Sequence, residues 1–126
     1  MIPKRIALIG FMASGKTCVG EKLAARLGYS AGDTDCMVET SAGMTISEIF
    51  EIEGEDGFRT REAAALALSA SVSARGIETP IVLSCGGGIV LSERNRDILA
   101  SDFFSVWLDV PLEEILKRLK KVLRQF

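Results

Sequence analysis

Two short runs of apolar, mostly β-branched or aliphatic residues stand out along the chain, and each ends in a loop that contains glycine. They cover residues 5–9 and 80–84. Short apolar runs bounded by turn residues are typical of strands that are buried on both faces of a sheet. The same pattern predicts a third strand over residues 103–109. A weaker strand is predicted over residues 29–32, directly before Asp33.

Apolar residues at helical spacing occupy the intervals between these strands. Residues 17–27 place Val19, Leu23, Ala24 and Leu27 on one face, and Gly28 stands where a helix C-cap is expected. Further along, Thr45 and Glu48 have the spacing of a capping box, which predicts the start of a short helix. Helical spacing also predicts helices over residues 61–73, 92–100 and 112–123.

The alternation of strands and helices predicts an α/β fold with a central parallel sheet and helices on both faces. In such sheets, ligands bind at the carboxyl ends of the strands. Three segments that are rich in glycine or aspartate follow predicted strand ends, at residues 10–17, 33–35 and 85–88. We therefore expect these segments to meet in one crevice.

Residues 10–17 fit the phosphate-loop pattern G-x-x-x-x-G-K-[ST], between a predicted strand and a predicted helix. Such a loop directs several backbone N–H groups and the positive end of a helix dipole at one small volume, which suits a polyphosphate. Lys16 adds a charge for the β- and γ-phosphates, and Thr17 offers a hydroxyl to Mg²⁺. A glycine turn without a ligand is the alternative, and the strand and helix around the loop favour phosphate binding.

Asp33 and Asp35 place two carboxylates at a strand exit, where one suits Mg²⁺ through water and the other a substrate hydroxyl. The alternative is an Asx turn or a helix N-cap, and the phosphate loop favours the functional interpretation. Gly86, Gly87 and Gly88 allow a ligand to approach the main chain closely and are expected to leave N–H groups free for an oxyanion. A flexible turn is the alternative for this segment.

Residues 58–62 combine an aromatic ring, two guanidinium groups and the Glu62 carboxylate, which is placed to orient one of them. Arginine suits a substrate carboxylate because it forms two parallel hydrogen bonds with it. The alternative is that these residues form a solvent-exposed helix face with a weak ion pair, as the same residues do on an isolated helix. Ile46 and Phe50, four residues apart, are typical of a helix core face, and this role is compatible with bordering a pocket.

Composition restricts the remaining classes of function. The chain has 126 residues, of which 48% are hydrophobic, so we expect one globular domain. The formal net charge of −2 gives no strong field for nucleic acid or an anionic membrane. The first apolar run is too short for a signal peptide or a membrane span, so we expect a cytoplasmic protein.

Two residue types affect the chemistry that is available to the site. The chain contains no histidine, which leaves carboxylates as the proton acceptors. Cys18, Cys36 and Cys85 lack the spacing of a zinc or redox motif. We expect them to be reduced thiols, mostly small buried residues.

Taken together, these motifs resemble the shikimate kinase family. The likeness runs through nearly the whole chain and includes residues 10–20, 33–35, 46–50, 53–55, 58–62, 86–88 and 106–108. In that family the enzyme transfers the γ-phosphoryl group of ATP to the 3-hydroxyl of shikimate, a carboxylated cyclohexene triol on the route to aromatic amino acids. The resemblance implies a three-layer α/β/α P-loop kinase fold with a central parallel sheet. It implies a single monomeric domain over residues 1–126, with residues 33–62 as the substrate-binding region.

The resemblance also implies roles for individual residues. Nucleotide binding is implied for Gly10, Ala13, Ser14, Gly15, Lys16, Thr17, Cys18 and Arg118. Substrate binding is implied for Asp35, Ile46, Phe50, Phe58, Arg59, Glu62, Gly86, Gly87 and Gly88. Thr17 and Asp33 are implied to serve Mg²⁺, with Asp33 in its outer shell, and Lys16 and Asp35 are implied to be catalytic. The residues themselves agree with this acceptor, because an arginine beside paired aspartates suits a molecule with a carboxylate and several hydroxyls.

The chain departs from the family pattern in two places. Ala13 replaces the glycine that is usual at that position of the loop. After the helix that carries Arg118, the family continues through an arginine-bearing lid, a fifth strand, an adenine loop and a closing helix. The fold expected here lacks the final strand and helix, so we expect weak nucleotide binding and slow turnover or none at all. The alternative function is a lidless relative that binds a ligand or partner protein without turnover.

Overall fold

The computed structural model describes residues 2–10, 16–71, 80–109, 113, 114 and 117. The strands are β1 (Arg5–Ile9), β2 (Ser30–Asp33), β3 (Ile81–Ser84) and β4 (Phe104–Trp107). The helices are α1 (Lys16–Leu27), α2 (Thr34–Ala42), α3 (Ile46–Ser71) and α4 (Glu93–Asp102), and a 3-10 turn covers Ile89–Leu91. Of the predicted helix over residues 112–123, residues 113, 114 and 117 are helical, and the others lie outside the described residues.

The four strands form one parallel sheet in the order β2-β3-β1-β4, which confirms the predicted α/β class. Ala7 on β1 pairs with Leu83 on β3 and with Ser105 on β4, and Asp33 at the end of β2 pairs with Ser84. The registers bring the carboxyl ends of β1, β2 and β3 to the same edge of the sheet. The segments that follow these strands therefore emerge close together.

Successive side chains of β1 point to opposite faces of the sheet, and each face is covered by helices. On one face, Ile6, Leu8 and Val82 pack with Ala24 of α1. On the other face, residues from the strands pack with residues from α3, α4 and the adjoining loops: Ala7, Leu83, Cys85, Leu66, Ile89, Leu99 and Phe103. The result is the expected arrangement of a sheet between two helical layers.

Two features of the helices differ from the sequence prediction. The helix α2 had no prediction of its own, and it begins directly after β2 because Asp33 caps it. The helices predicted near Thr45 and over residues 61–73 are nearly continuous in α3, interrupted by the non-helical Gly54, with φ 75° and ψ −176°. The predicted capping box at Thr45 and Glu48 is present, since each backbone N–H donates to the other residue's side chain.

The second half of α3 is joined to the first across this interruption. Arg61 donates two hydrogen bonds to the carboxylate of Glu53, at 3.0 and 2.8 Å. A third cluster of buried residues, Val38, Ile49, Phe58 and Ala65, packs α2 against both halves of α3. Among the helices of the described segments, none has the length and apolar composition needed to span a bilayer.

We expect Gly54→Ala to destabilise the protein by about 1–3 kcal/mol, because its backbone angles lie in a region that is almost restricted to glycine. An added Cβ meets no atom within 4 Å, so the cost comes from the backbone alone. Urea denaturation measures the loss. Gly43→Ala is the matched control, because Gly43 is equally uncrowded but has φ 66° and ψ 24°. This left-handed conformation costs alanine only about 1 kcal/mol. An equal loss for both variants would contradict the prediction.

Candidate active site

The Asp33 side chain forms hydrogen bonds both with α1, the helix that follows the phosphate loop, and with the start of α2. Its Oδ1 accepts hydrogen bonds from the backbone N–H groups of Asp35 and Cys36, at 2.8 and 3.2 Å. Its Oδ2 accepts a hydrogen bond from the hydroxyl of Thr17, at 3.2 Å. The sequence presented a helix cap and a functional carboxylate as alternatives. The structure shows the cap, and it leaves the second oxygen directed at Thr17.

Lys16 is half-buried at the first position of α1. Its Nζ donates to the carbonyl of Gly10 at 2.8 Å. Burial lowers the pKa of Lys16, and the negative charges nearby, foremost Asp35, oppose this shift. The lysine therefore lies near both Gly10, the first residue of the phosphate-loop pattern, and the carboxylates at the end of β2. Ala13, Ser14, Gly15 and Arg118 lie outside the described residues.

A cavity of about 330 Å³ lies beside this cluster, at the ends of β2 and β3 and against α3. It is lined by Asp35, Ile46, Phe58, Arg59, Glu62, Gly86, Gly87 and Gly88. The structure thus brings together eight of the nine residues for which the resemblance implied substrate binding. Phe50 lies outside this lining. It is 41% exposed and stacks on Phe58 with ring centroids 5.0 Å apart.

Arg59 is fixed on three sides within the cavity. One guanidinium nitrogen donates to Oε1 of Glu62 at 3.0 Å, and the guanidinium carbon lies 5.2 Å from the ring centroid of Phe58. The guanidinium also lies against the Cα of Gly88, where any Cβ would collide with it. Because Glu62 is only 1% exposed, this pair is well shielded from solvent on the carboxylate side.

Gly86 separates two carboxylates at the floor of the cavity. A Cβ on this residue would lie 2.8 Å from Oε2 of Glu62 and 2.9 Å from Oδ1 of Asp35. Its N–H donates to the hydroxyl oxygen of Thr34 at 2.9 Å, so the expectation of a free N–H group at Gly86 was wrong. The protein's own side chains, rather than a ligand alone, require glycine here.

Burial raises the pKa of the Asp35 carboxyl, and neighbouring Asp33 adds to the rise while Lys16 opposes it. Burial also raises the pKa of Glu62, against the opposing effect of Arg59. Beneath them, burial raises the pKa of the Cys85 thiol to about 12. A carboxylate with a raised pKa is a stronger proton acceptor once it is ionised, so Asp35 has the chemistry of a general base.

The expectation that the cysteines are mostly buried was wrong for two of them. Cys18 and Cys36 are exposed, and only Cys85 is buried. Cys18 and Cys36 each lie in the first turn of a helix, on its outward side.

Sequence reasoning gave no role to Thr34, which is fully buried and forms a hydrogen bond with Gly86. The sequence feature that could have indicated a role for Thr34 is a β-branched residue with a hydroxyl group, placed between two aspartates at the end of a strand.

The parallel sheet with helices on both faces, and the lysine, threonine and aspartate at its carboxyl edge, define a P-loop α/β protein of the small-molecule kinase class. A family model described as shikimate kinase matches residues 12–124. The chain belongs to the shikimate kinase family.

Individual relatives agree with this assignment. The chain is 45% identical over 113 residues to shikimate kinase from Symbiobacterium thermophilum, covering 90% of this chain and 62% of that protein. It is 41% identical over 117 residues to shikimate kinase from Parasynechococcus marenigrum, covering 93% of this chain and 58% of that protein. It therefore spans less than two thirds of the length of these curated relatives.

The fold is similar to that of shikimate kinase from Acinetobacter baumannii, which was solved in complex with shikimate. The TM-score is 0.86 and the sequence identity is 39%. The match covers 97% of this chain and 64% of that one.

Removing Arg59 should leave the Glu62 carboxylate buried without its cation. We therefore expect Arg59→Met to lower the free energy of unfolding more at pH 8 than at pH 5. The difference between the two losses should be about 2 kcal/mol, which is less than for a fully buried pair because Arg59 is partly exposed. The pKa of Glu62, already raised by burial, rises further without Arg59. Stability is then lost as the pH rises through that folded-state pKa.

Urea denaturation at the two pH values measures this effect, and Arg59→Met/Glu62→Gln is the control, because it carries no ionisable group at position 62. The added loss at pH 8 should disappear in the double variant. A loss that is the same at both pH values, or that persists in the double variant, would show that Glu62 is not the group responsible.

Proposed function

We propose that this protein is an ATP-dependent kinase that transfers the γ-phosphoryl group of ATP to the 3-hydroxyl of shikimate, in the biosynthesis of aromatic amino acids. One observation carries the proposal: Arg59 and Asp35 line the same cavity, next to the Lys16, Thr17 and Asp33 cluster. A substrate with one carboxylate and several hydroxyls matches this arrangement. Family membership and the shikimate complex of the similar structure support the choice of acceptor.

Arg59 is the residue that we assign to the carboxylate of shikimate. Its position against Gly88 and its bond to Glu62 hold the guanidinium in one orientation, which reduces the entropy lost when the substrate binds. Ile46 and Phe58 supply apolar walls for the ring of the acceptor. We assign the backbone of Gly87 and Gly88 to the remaining polar groups of the substrate. Residues 33–62 would then form most of the acceptor-binding region.

Thr17 and Asp33 offer oxygen ligands of the kind that Mg²⁺ prefers, a hydroxyl and a carboxylate oxygen 3.2 Å apart. These donors fit the proposed Mg²⁺, with Asp33 in its outer shell. Within the described ranges, no group of three His, Cys, Asp or Glu residues is placed to hold a metal ion by itself. When bound together with ATP, Mg²⁺ supplies charge neutralisation at the β- and γ-phosphates.

We assign one role in the phosphoryl transfer to each of the remaining groups. The 3-hydroxyl oxygen bonds to the γ-phosphorus, the bond from that phosphorus to the β,γ-bridging oxygen breaks, and the hydroxyl proton passes to Asp35. Lys16 stabilises the negative charge on the transferred group and the leaving oxygen. We assign the rest of the phosphate loop to the phosphates and Arg118 to the adenine. We further propose a cytoplasmic monomer that binds neither nucleic acid nor membranes.

The purified protein should release ADP from ATP in a coupled assay only when shikimate is present. Lys16→Ala should lower this rate by roughly 10²–10³-fold, because the lysine meets developing charge in the transition state. Lys22→Ala, an exposed lysine on the same helix, is the matched control and should keep the original rate. Circular dichroism checks that both variants fold.

ADP release that does not depend on shikimate would contradict the proposed acceptor. Turnover by Lys16→Ala at the original rate would contradict the phosphate-loop assignment. Binding of shikimate by calorimetry without any turnover would instead support a ligand-binding relative.

Arg59→Lys should raise the KM for shikimate by roughly tenfold and leave the KM for ATP unchanged, because lysine keeps the charge but loses the two-pronged hydrogen bond. Steady-state kinetics with each substrate varied in turn measures both constants. Arg61→Lys is the control, since Arg61 pairs with Glu53 away from the cavity lining. Equal losses for shikimate and ATP would argue against placing Arg59 at the substrate carboxylate.

A further inference from the structure

Thr34 lies between the two aspartates of the site and is 0% exposed. Its hydroxyl oxygen accepts the N–H of Gly86 at 2.9 Å. This hydrogen bond joins the first residue after β2 to the loop that follows β3, which are neighbours in the sheet. It is therefore a tertiary link between two of the three segments that form the crevice.

The bond begins where the regular ladder between the two strands ends. Asp33 and Ser84 are the last paired residues of β2 and β3. Beyond them, the N–H of Cys85 donates to the carbonyl of Leu8 on β1, and the N–H of Gly86 donates to Thr34 on the opposite side. The loop is thus attached to both neighbouring strand ends as it leaves the sheet, once through backbone and once through the Thr34 side chain.

Gly86 is also closely surrounded by charged side chains of the acceptor cavity. Its Cα lies beside one oxygen of Asp35 and one oxygen of Glu62, and two residues later Gly88 lies against the guanidinium of Arg59. A shift of the Gly86 peptide therefore changes the spacing between Asp35, the proposed base, and the Gly87–Gly88 backbone, which we assign to polar groups of the substrate. Distances of this kind affect both binding and transfer.

We infer that Thr34 is a positioning residue for the acceptor site: its hydroxyl fixes the Gly86 peptide, and with it the spacing between Asp35 and the Gly87–Gly88 backbone. The inference rests on the proposed function for its catalytic consequence, but the hydrogen bond itself is independent of that function. Thr34 acts through Gly86 and does not contact the substrate. The nucleotide side of the site, at Lys16 and Thr17, is held by other bonds.

Three substitutions separate the hydroxyl from the volume of the side chain. Thr34→Val keeps the shape and removes the acceptor, which leaves the Gly86 N–H buried without a partner. Thr34→Ser keeps the hydroxyl and loses a methyl group. Thr40→Val is the matched control, because it makes the same chemical change at an exposed position of the same helix.

The first measurement is amide hydrogen exchange by NMR, which needs no activity. The Gly86 amide should exchange roughly tenfold faster in Thr34→Val than in the original protein, and at nearly the original rate in Thr34→Ser and Thr40→Val. The amides of β1 report global stability and should be unaffected in Thr34→Ser. Unchanged protection of Gly86 in Thr34→Val would overturn the inference. If Thr34→Val does not fold, Thr34→Ala replaces it in both measurements.

The second measurement is steady-state kinetics. Thr34→Val should raise the KM for shikimate and lower kcat, giving a roughly tenfold loss of kcat/KM for shikimate, with the KM for ATP unchanged and Thr34→Ser within about twofold of the original. Equal effects on both substrates, or equal losses in the valine and serine variants, would overturn the positioning role. If the original protein shows no shikimate-dependent ADP release, the proposed function fails, and the exchange result still decides whether Thr34 holds Gly86.

Discussion

The buried carboxylate of Glu62 is the constraint on which the acceptor side of the site depends. A carboxylate that is 1% exposed needs a compensating cation when it is ionised, and Arg59 supplies it from the preceding turn of the same helix. The pair cannot rotate freely, because Phe58 lies beside the guanidinium and Gly88 lies against it. The interaction that relieves the burial of Glu62 therefore also fixes the group best suited to hold a substrate carboxylate.

The nucleotide side follows a similar principle, in which one group meets two requirements. Asp33 satisfies backbone N–H groups at the start of α2 with one oxygen and faces Thr17 with the other. Because the cap holds the first oxygen in place, the position of the second oxygen of the same carboxylate is fixed as well. Ser84, one strand away, donates to the carbonyl of Lys16 and leaves no room for a Cβ on Gly20 of α1. The helix that carries Lys16 is thereby held closely to the sheet.

The glycines after β3 show how the two sides are joined. They were expected to make room for a ligand, and the structure shows that the protein's own side chains occupy part of that room. The carboxylates of Asp35 and Glu62 lie beside Gly86, and Arg59 lies beside Gly88. A side chain at either glycine would displace a charged group, so the main-chain path and the charges of the site depend on each other.

The sequence by itself determined the parallel α/β architecture, because buried strands and amphipathic helices have different apolar periods. It also pointed to Asp35, Arg59 and Glu62 as candidate site residues, since the spacing of charges within a short segment is a local property, and the structure places all three in the lining of one cavity. The continuity of α3 across Gly54 was not predictable, because the backbone geometry there depends on packing and on the Glu53–Arg61 pair. Whether the Gly86 N–H is free and whether Cys36 is exposed were decided only in three dimensions. The first depends on whether a side chain of a distant segment, here Thr34, reaches Gly86, and the second on which side of α2 faces solvent.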